Sequence, residues 1–453
     1  MIKIPDTREI ALEMLIEILE KNHFSHLVLR KTLGKHPELD KSSRSFISRL
    51  TEGTIENLIK IDYILNLYSK VKVAKMKPLI RNLLRLSVYQ ILYMDNVPDR
   101  AVCNEAVNIA AKRGFVSLKG YMNGVLRTVA RNADSIEYPE EEGNPVLALS
   151  VKYSMPEWII ELWLEQLGED KTLEILDGFS VRNPLSVRCN LSLARKEDIV
   201  SSLENQNIQV VQNPFLEDAL YMEGYDSPGN IEAFQKGYIQ IQDISSMLVG
   251  YAADIHPGDF VLDLCAAPGG KSIHAADLLK GSGQVVARDV TEYKTGLIQE
   301  NIARSGFGNI RTEVKDATVF DESSVDMADV LIADLPCSGL GVLAKKTDLR
   351  YKIQRDSLKN LAALQRDILK NAARYVKPGK VLIYSTCTIN ILENQDNVRW
   401  FLENHPYTLE SLKGLLPETF LEESAEEGWT QLFPGKHGND GFFIARFRRK
   451  MNE

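Results

Sequence analysis

Two cysteines stand where a reactive thiol would be placed. One lies in Asp334-Leu335-Pro336-Cys337-Ser338-Gly339 and the other in Ser385-Thr386-Cys387-Thr388, and each follows a short apolar run that reads as a buried strand. A lone cysteine is more often a small buried hydrophobe than a nucleophile. Two, each just past the carboxyl end of a strand in one parallel sheet, are harder to dismiss, because ligands in such sheets bind at that rim. Thiols placed there suit covalent catalysis, which splits one hard step into easier ones.

A third stretch speaks to the ligand. The apolar run Phe260-Val261-Leu262-Asp263-Leu264 leads into Cys265-Ala266-Ala267-Pro268-Gly269-Gly270-Lys271-Ser272 and then a helical pattern. Small residues let backbone approach a ligand closely, and the helix N-terminus supplies N–H donors. The loop fails as a P-loop, since the opening glycine of GxxxxGK[ST] would fall at Cys265, and the dinucleotide fingerprint GxGxxG is absent. S-adenosylmethionine remains, as it carries no phosphate to cradle. It needs an acid for its ribose hydroxyls, and Asp289 ends the next apolar run, 19 residues beyond Gly270, close to the spacing of ~20 expected for ribose recognition. Asp316, in Val314-Lys315-Asp316, follows the expected third strand and is a candidate to face the adenine. A Gly-rich turn alone would be only a tight strand–helix connection; acids after two later strands favour the cofactor.

A methyl donor beside two thiols fits methylation at cytosine C5. That carbon is too weak a nucleophile to attack a sulfonium methyl unaided. A thiolate adding to C6 makes C5 enamine-like, the methyl transfers, and loss of the C5 proton lets the thiol leave. The thiolate is favoured by nearby positive charge, such as Lys271 or the sulfonium. Asp334 suits polarisation of the ring at N3 and N4. The base must leave its stack, which implies a single-stranded or melted target. Either cysteine could attack on this reading.

The elements that must position these residues form a parallel α/β sheet. Short apolar runs at 260–264, 284–287, 330–333 and 381–385 alternate with helical patterns such as 272–279 and 361–375, the signature of strands covered on both faces. Ahead of them, residues 150–235 read as a small α+β module, with helices near 158–167 and 195–204 and strands at 185–190 and 208–212. Residues 1–135 read as an all-α bundle. Ile10, Met14, Leu15, Ile18 and Leu19 recur at helical spacing, as do Leu79, Leu83, Leu84, Val88, Ile91 and Leu92 after Pro78, and Val102, Ala106, Val107, Ile109 and Ala110 before Gly114. The acidic stretch from Glu137 to Pro145 reads as a linker. The expected organisation is therefore an all-α domain (1–135), an α+β module (150–235) and a Rossmann-like catalytic domain (236–450).

Charge separates these parts. The chain of 453 residues has a formal net charge of −8, yet residues 1–133 carry a net +9 and the remainder −17. A basic module on an acidic body suggests that the module meets phosphate. No charge-free apolar run is long enough to span a membrane, and Met1-Ile2-Lys3-Ile4-Pro5-Asp6 shows no secretory leader; a cytosolic protein is expected, with no membrane partner. Five widely spaced cysteines, with no CxxC or histidine cluster, predict neither a disulfide framework nor a metal. Cys103, Cys189 and Cys265 read as packing residues.

The stretches LDLCAAPGGKS, ADLPCSGLG and YSTCT, with IQDISS ahead of them and DGFF at Asp440–Phe443, resemble the RNA cytosine-5 methyltransferases of the NOL1/NOP2/Sun family over roughly residues 230–447. Residues 1–133 are similar to the all-α RNA-binding fold of the antitermination factor NusB, most clearly through Asn96-Val97-Pro98-Asp99-Arg100-Ala101-Val102-Cys103-Asn104-Glu105-Ala106-Val107. The resemblance implies a class I S-adenosylmethionine-dependent enzyme acting on small-subunit (16S) ribosomal RNA. It implies Cys387 as nucleophile, Cys337 as the thiol that helps release product, and Cys265 to Lys271, Asp289, Asp316 and Asp334 as cofactor contacts. Arg288, before Asp289, departs from the family's expected small apolar residue.

The same chemistry on transfer RNA and a non-catalytic RNA-binding ribosome-assembly factor are the alternatives; the presence of both cysteines and Asp334 weighs against the second. Lys345, Lys346, Arg350, Lys352, Arg355 and Lys359 are candidates to hold RNA phosphates beside the pocket. Phe442 and Phe443 read as core more readily than as a base-stacking pair, His437 as a surface residue, and the protein as a monomer.

Overall fold

The computed structural model describes residues 6–140, 142–181 and 183–451. The leader reading of residues 1–5, and Glu141 within the expected linker, lie outside them. The chain divides into two compact units, Met1–Leu176 with Leu343–Arg355, and Asp177–Val342 with Asp356–Glu453.

The first unit is helical. Its opening helix, Thr7–Leu19, is capped by Asp6, whose carboxylate accepts the Arg8 amide, and buries Ile10, Leu12, Met14, Leu15 and Ile18. The helix Pro78–Tyr93 starts on its proline and runs through the middle of the bundle, so even Asn82, Arg85, Ser87 and Gln90 are buried on it. Arg85 is met bidentately by Asp62, at 2.7 and 2.6 Å. A glycine is required at Gly53, where a Cβ would come within 2.1 Å of the Tyr89 ring.

The segment Leu343–Arg355 belongs to this unit, and it corrects the phosphate reading of its cations. Asp348 accepts the Ser25 amide and hydroxyl at 3.0 and 2.6 Å and the Lys352 ammonium at 2.6 Å. The Lys352 ammonium also lies 4.6 Å over the Phe24 ring. Arg350 is buried and donates to the carbonyls of Ser154 and Leu343, at 3.1 and 2.9 Å. Arg355 faces Glu165 at 2.6 Å and Glu161 at 3.4 Å. Arg350 and Lys352 are thus occupied within the protein, whereas Arg355, in surface ion pairs, and Lys345, Lys346 and Lys359 are exposed. Clustering in sequence does not distinguish a cation that faces solvent from one that has found an internal acceptor.

The second unit holds two sheets. The smaller is antiparallel, in the order β2-β3-β1-β4, from β1 (Leu185–Cys189), β2 (Gln209–Gln212), β3 (Ala219–Glu223) and β4 (Ile239–Ile241), with the helix Lys196–Glu204 between β1 and β2. The larger contains β5 (Phe260–Asp263), β6 (Gln284–Asp289), β7 (Ile310–Val314), β8 (Ala328–Asp334), β9 (Val376–Thr386), β10 (Tyr407–Leu409), β11 (Trp429–Leu432) and β12 (Phe442–Arg449). Its order is β10-β12-β9-β8-β5-β6-β7, with β11 also paired to β12. Strands β5 to β9 pair in parallel, and β12 runs antiparallel beside β9. Their interiors, Val285-Val286-Ala287 and Val330 to Ala333 among them, are buried on both faces, as a helix-covered parallel sheet requires. From β5 the chain winds outward through β6 and β7, then returns to place β8 on the other side of β5. The order reverses there, and the carboxyl ends of β5 and β8 open the crevice where such sheets bind ligands. Among the described residues no helix is long and apolar enough to cross a membrane.

Candidate active site

After β5 the chain turns sharply, with the Gly269 amide bonded to the Ala266 carbonyl at 2.6 Å, and enters the helix Gly270–Leu278. Gly269 has φ +105°, and a Cβ there would stand 3.2 Å from the Ile298 Cγ2, so both conformation and space call for glycine. Asp289, at the end of β6, is buried. Its carboxylate fastens the loop by accepting the Ala267 amide at 3.0 Å and its neighbour Val290 at 2.8 Å, and it pairs with Lys294 at 3.0 Å. Val290 leaves an apolar side chain 47% exposed beside that acid. Asp316 is exposed, and the amide and hydroxyl of Thr318 (2.9 and 2.7 Å) hold its carboxyl below the usual range. Burial, with Asp289 nearby, pushes the Cys265 thiol far up, which leaves it an inert packing group.

Asp263 is a residue that the sequence reading passed over, although it closes β5 inside the quoted motif. One of its oxygens accepts the Ser272 hydroxyl at 2.6 Å; the other is buried and finds no hydrogen-bonding partner among the described residues. Burial pushes its carboxyl up to about 7. An acceptor left open at the head of a small-residue loop, an acid after the next strand and an exposed apolar residue beside it fit S-adenosylmethionine, with its ammonium, ribose hydroxyls and adenine.

The departure at Arg288 has a local explanation. The guanidinium is buried and satisfied by Glu313 at 2.8 Å, Ser324 at 2.8 Å and Asp321 at 3.2 Å. Three partners make a cation tolerable where a small apolar residue was expected.

The two cysteines meet. Asp334 at the end of β8 pairs in register with Ser385 of β9, so the loops leaving the two strands start side by side, and Cys337 Sγ lies 3.3 Å from Cys387 Sγ. Cys387 and burial both push the Cys337 thiol well above its ordinary value, so it keeps its proton at neutral pH. Asp334 accepts the Lys271 ammonium at 2.6 Å and the Ser385 hydroxyl at 2.9 Å. Lys271 thus directs its charge at Asp334, with its Nζ 5.4 Å over the Phe442 ring. The DGFF stretch closes the site from behind. The Gly341 amide donates to the Cys387 carbonyl at 3.0 Å, and the Gly441 amide to the Gly341 carbonyl at 2.8 Å. A Cβ on Gly341 would strike the Gly441 carbonyl oxygen at 1.9 Å. Asp243, from IQDISS, caps the helix Ile244–Ala253 and also accepts the Asp440 amide at 3.2 Å. Phe442 and Phe443 are buried core residues. His437 is not a surface residue as expected: it is half-buried, its ring packed edge-on against Phe215 and Phe420 at 5.4 Å from each.

Fold and rim together define an S-adenosylmethionine-dependent methyltransferase. Residues 251–448 match the family model described as 16S rRNA methyltransferase RsmB/F, residues 5–131 the NusB family, and residues 155–227 the ferredoxin-like domain of RsmF/B-like methyltransferases. A probable ribosomal RNA small subunit methyltransferase B of Bacillus subtilis is 36% identical over 98% of each chain. The ribosomal RNA small subunit methyltransferase B of Klebsiella pneumoniae (strain 342) is 26% identical over the same shares. Among solved structures, that of PH0851 superposes with a TM-score of 0.82 at 29% identity, covering 99% of this chain and 100% of that one. NSun6 from Pyrococcus horikoshii with SFG, at 22% identity and a TM-score of 0.59, covers 66% of this chain and 99% of that one and shares the fold. The chain belongs to the RsmB/F family of 16S rRNA methyltransferases.

Proposed function

We propose that the protein methylates C5 of a cytosine in small-subunit ribosomal RNA through a covalent bond between Cys387 and C6 of the base. The observation that carries this reading is the pair of sulfurs 3.3 Å apart at the ends of adjacent strands, beside Asp334. Bound S-adenosylmethionine supplies an electrophilic sulfonium methyl; loop residues 265–271, with Asp263, Asp289, Asp316 and Asp334, are the groups that would hold it. The Cys387 thiolate attacks C6, and the displaced electron pair makes C5 nucleophilic. Asp334, fixed by Lys271 and Ser385, polarises the ring through N3 and N4. After transfer, a solvent water molecule acting as base takes the C5 proton, the C5–H electron pair re-forms the C5–C6 double bond, and the C6–S bond breaks with its electrons returning to the Cys387 sulfur. Cys337 keeps its own proton and donates it as a hydrogen bond to that sulfur, stabilising the thiolate as it leaves. The basic residues of 1–133 supply phosphate contacts.

Methyl transfer from labelled S-adenosylmethionine to unmodified 16S ribosomal RNA, with transfer RNA alongside, followed by nucleoside analysis, tests the reading. Label is expected in 5-methylcytosine of the ribosomal RNA alone; label only in transfer RNA overturns the substrate, and label in another nucleoside the chemistry. Cys387→Ser should lower the rate by on the order of 10³-fold or more. Cys337→Ala should leave protein bound to RNA through denaturing electrophoresis. The adduct appearing in the first variant and not the second would reverse the two roles.

A further inference from the structure

A carboxylate that the chemistry above does not use lies behind the two thiols. Glu393 is fully buried, just ahead of the helix Gln395–Asn404. Among the described residues, its carboxylate's hydrogen-bond partners are all neutral. One oxygen accepts the Ser338 amide and the Gln365 side-chain amide, each at 2.9 Å. The other accepts the Asn390 side-chain amide at 2.9 Å and the Ser338 hydroxyl. Four donors aimed at two oxygens suit the ionised form, which can only accept.

Those donors converge on the thiol loops. Ser338 follows Cys337 and has a single hydroxyl proton, which it gives to Glu393. The 2.7 Å contact between Ser338 Oγ and Thr388 Oγ1 is then donated by Thr388, the residue after Cys387. Thr388 Oγ1 in turn accepts the Leu340 amide at 3.3 Å. Gln365 uses its second amide proton on the Pro336 carbonyl at 2.9 Å, so Cys337 is pinned on both sides. Gln365 is itself oriented by Asn397, whose side-chain amide donates to its carbonyl oxygen at 2.8 Å. A buried charge without a counter-ion is costly unless every lone pair is used. Here three of the four donors come from the segments that carry the sulfurs, two from Ser338 and one from Asn390, and the fourth is Gln365.

We propose that Glu393 is a positioning residue of the two-thiol site: its buried carboxylate ties the Cys337 loop to the turn that carries Cys387 and so sets the separation of the two sulfurs. This rests on the two-thiol reading above. The glutamate's charge acts in the same direction, adding to the effects of Cys387 and burial that keep Cys337 protonated.

Two readouts on the full-length protein test it, and the first needs no RNA. With diamide as oxidant, Cys337 and Cys387 each give up a hydrogen, the N=N bond of diamide takes both, and the new disulfide is read as a cross-linked peptide by mass spectrometry. Glu393→Gln keeps the volume but sets a donor against donors, and the cross-linking rate should fall about tenfold. In the second readout, kcat for methyl transfer should fall about 10- to 100-fold, with the affinity for S-adenosylmethionine unchanged and the RNA adduct accumulating as in Cys337→Ala. In the Cys337→Ala background, Glu393→Gln should add less than about threefold, because residues acting as a unit are not additive. Ser338→Ala removes one donor and should show the same pattern more weakly; it decides the matter if Glu393→Gln does not fold. A wild-type cross-linking rate in both variants, or effects that multiply in the Cys337→Ala background, overturns the role. Absence of any RNA adduct in Cys337→Ala overturns the two-thiol reading instead, and the cross-linking rate still decides whether Glu393 sets the sulfurs' spacing.

Discussion

Along one rim of one sheet, the proposed site is built as two halves, one for the cofactor and one for the thiols, by opposite means. The cofactor half is made by adjacent residues, with loop 265–271 held by its own turn, by Gly269 at positive φ, and by one carboxylate from the next strand. The thiol half is made by residues far apart in the chain. Ser338, Gln365 and Glu393 come from a loop, a helix and the approach to another helix, and none of them touches the sulfurs' chemistry directly. Asp334 stands at the seam, bound to Lys271 of the first half and Ser385 of the second. A ligand bound mainly by backbone needs close approach and a fixed turn, which a short motif can encode. A reacting pair needs a fixed distance between two side chains, and that takes a network.

If the halves are separable, damage to the first should change affinity and leave the chemical step alone. Asp289→Ala removes the acceptor for the Ala267 and Val290 amides and the partner of Lys294. A hydrogen bond to a charged group contributes about 1.5–3 kcal/mol, so S-adenosylmethionine should bind about 10- to 100-fold more weakly by calorimetry. At saturating cofactor, kcat should stay near wild type. A collapse of kcat with affinity preserved would mean that the halves are not separable in this way.

A smaller effect tests whether the loop's shape matters as much as its charge. Gly269→Ala must hold a side chain at φ +105° with its Cβ 3.2 Å from Ile298. Left-handed backbone costs a non-glycine residue about 1–2 kcal/mol, a drop of about 2–4 °C in Tm for each kcal/mol in a unit of this size. Calorimetry should show the loss in the transition of the methyltransferase unit, with cofactor affinity falling less than in Asp289→Ala. An unchanged Tm would show that the loop relaxes freely and that its shape is not the constraint.

The same contrast decides what could be read from sequence. The loop, Asp289, Asp334 and both cysteines lie next to strands that periodicity marks plainly, and β5, β6, β8 and the helix Ser357–Tyr375 fall where the apolar runs placed them. Strands β3 and β4 went unread for different reasons: Ala219–Met222 is an apolar run without alternation, and Ile239–Ile241 alternates but is only three residues long. Glu393 went unread because nothing in its neighbourhood marks a buried charge; only the fold brings Ser338 and Gln365 to it. The same limit misplaced Arg350, Lys352 and His437. A cation's partner and a histidine's packing are tertiary facts, and charge spacing along the chain does not carry them.

Asp263 sits inside the legible motif yet owes its state to burial, so it tests the boundary between the two kinds of information. Its carboxyl is pushed up to about 7 in the folded protein, against about 3.9 for an unfolded aspartate. Between those values the folded state binds the extra proton. The stability gained by burying the neutral acid is therefore full below about pH 3.9 and is lost as pH rises through 7. The amide introduced by Asp263→Asn has no proton to lose over that range. In the absence of cofactor, Tm of Asp263→Asn relative to wild type should rise steadily from pH 5 to pH 8, as the wild type takes on a buried charge and the variant does not. Parallel Tm profiles would mean that Asp263 is ionised throughout, its open oxygen already satisfied. The small-residue loop would then be the whole of the cofactor half, with no buried acid poised at its head.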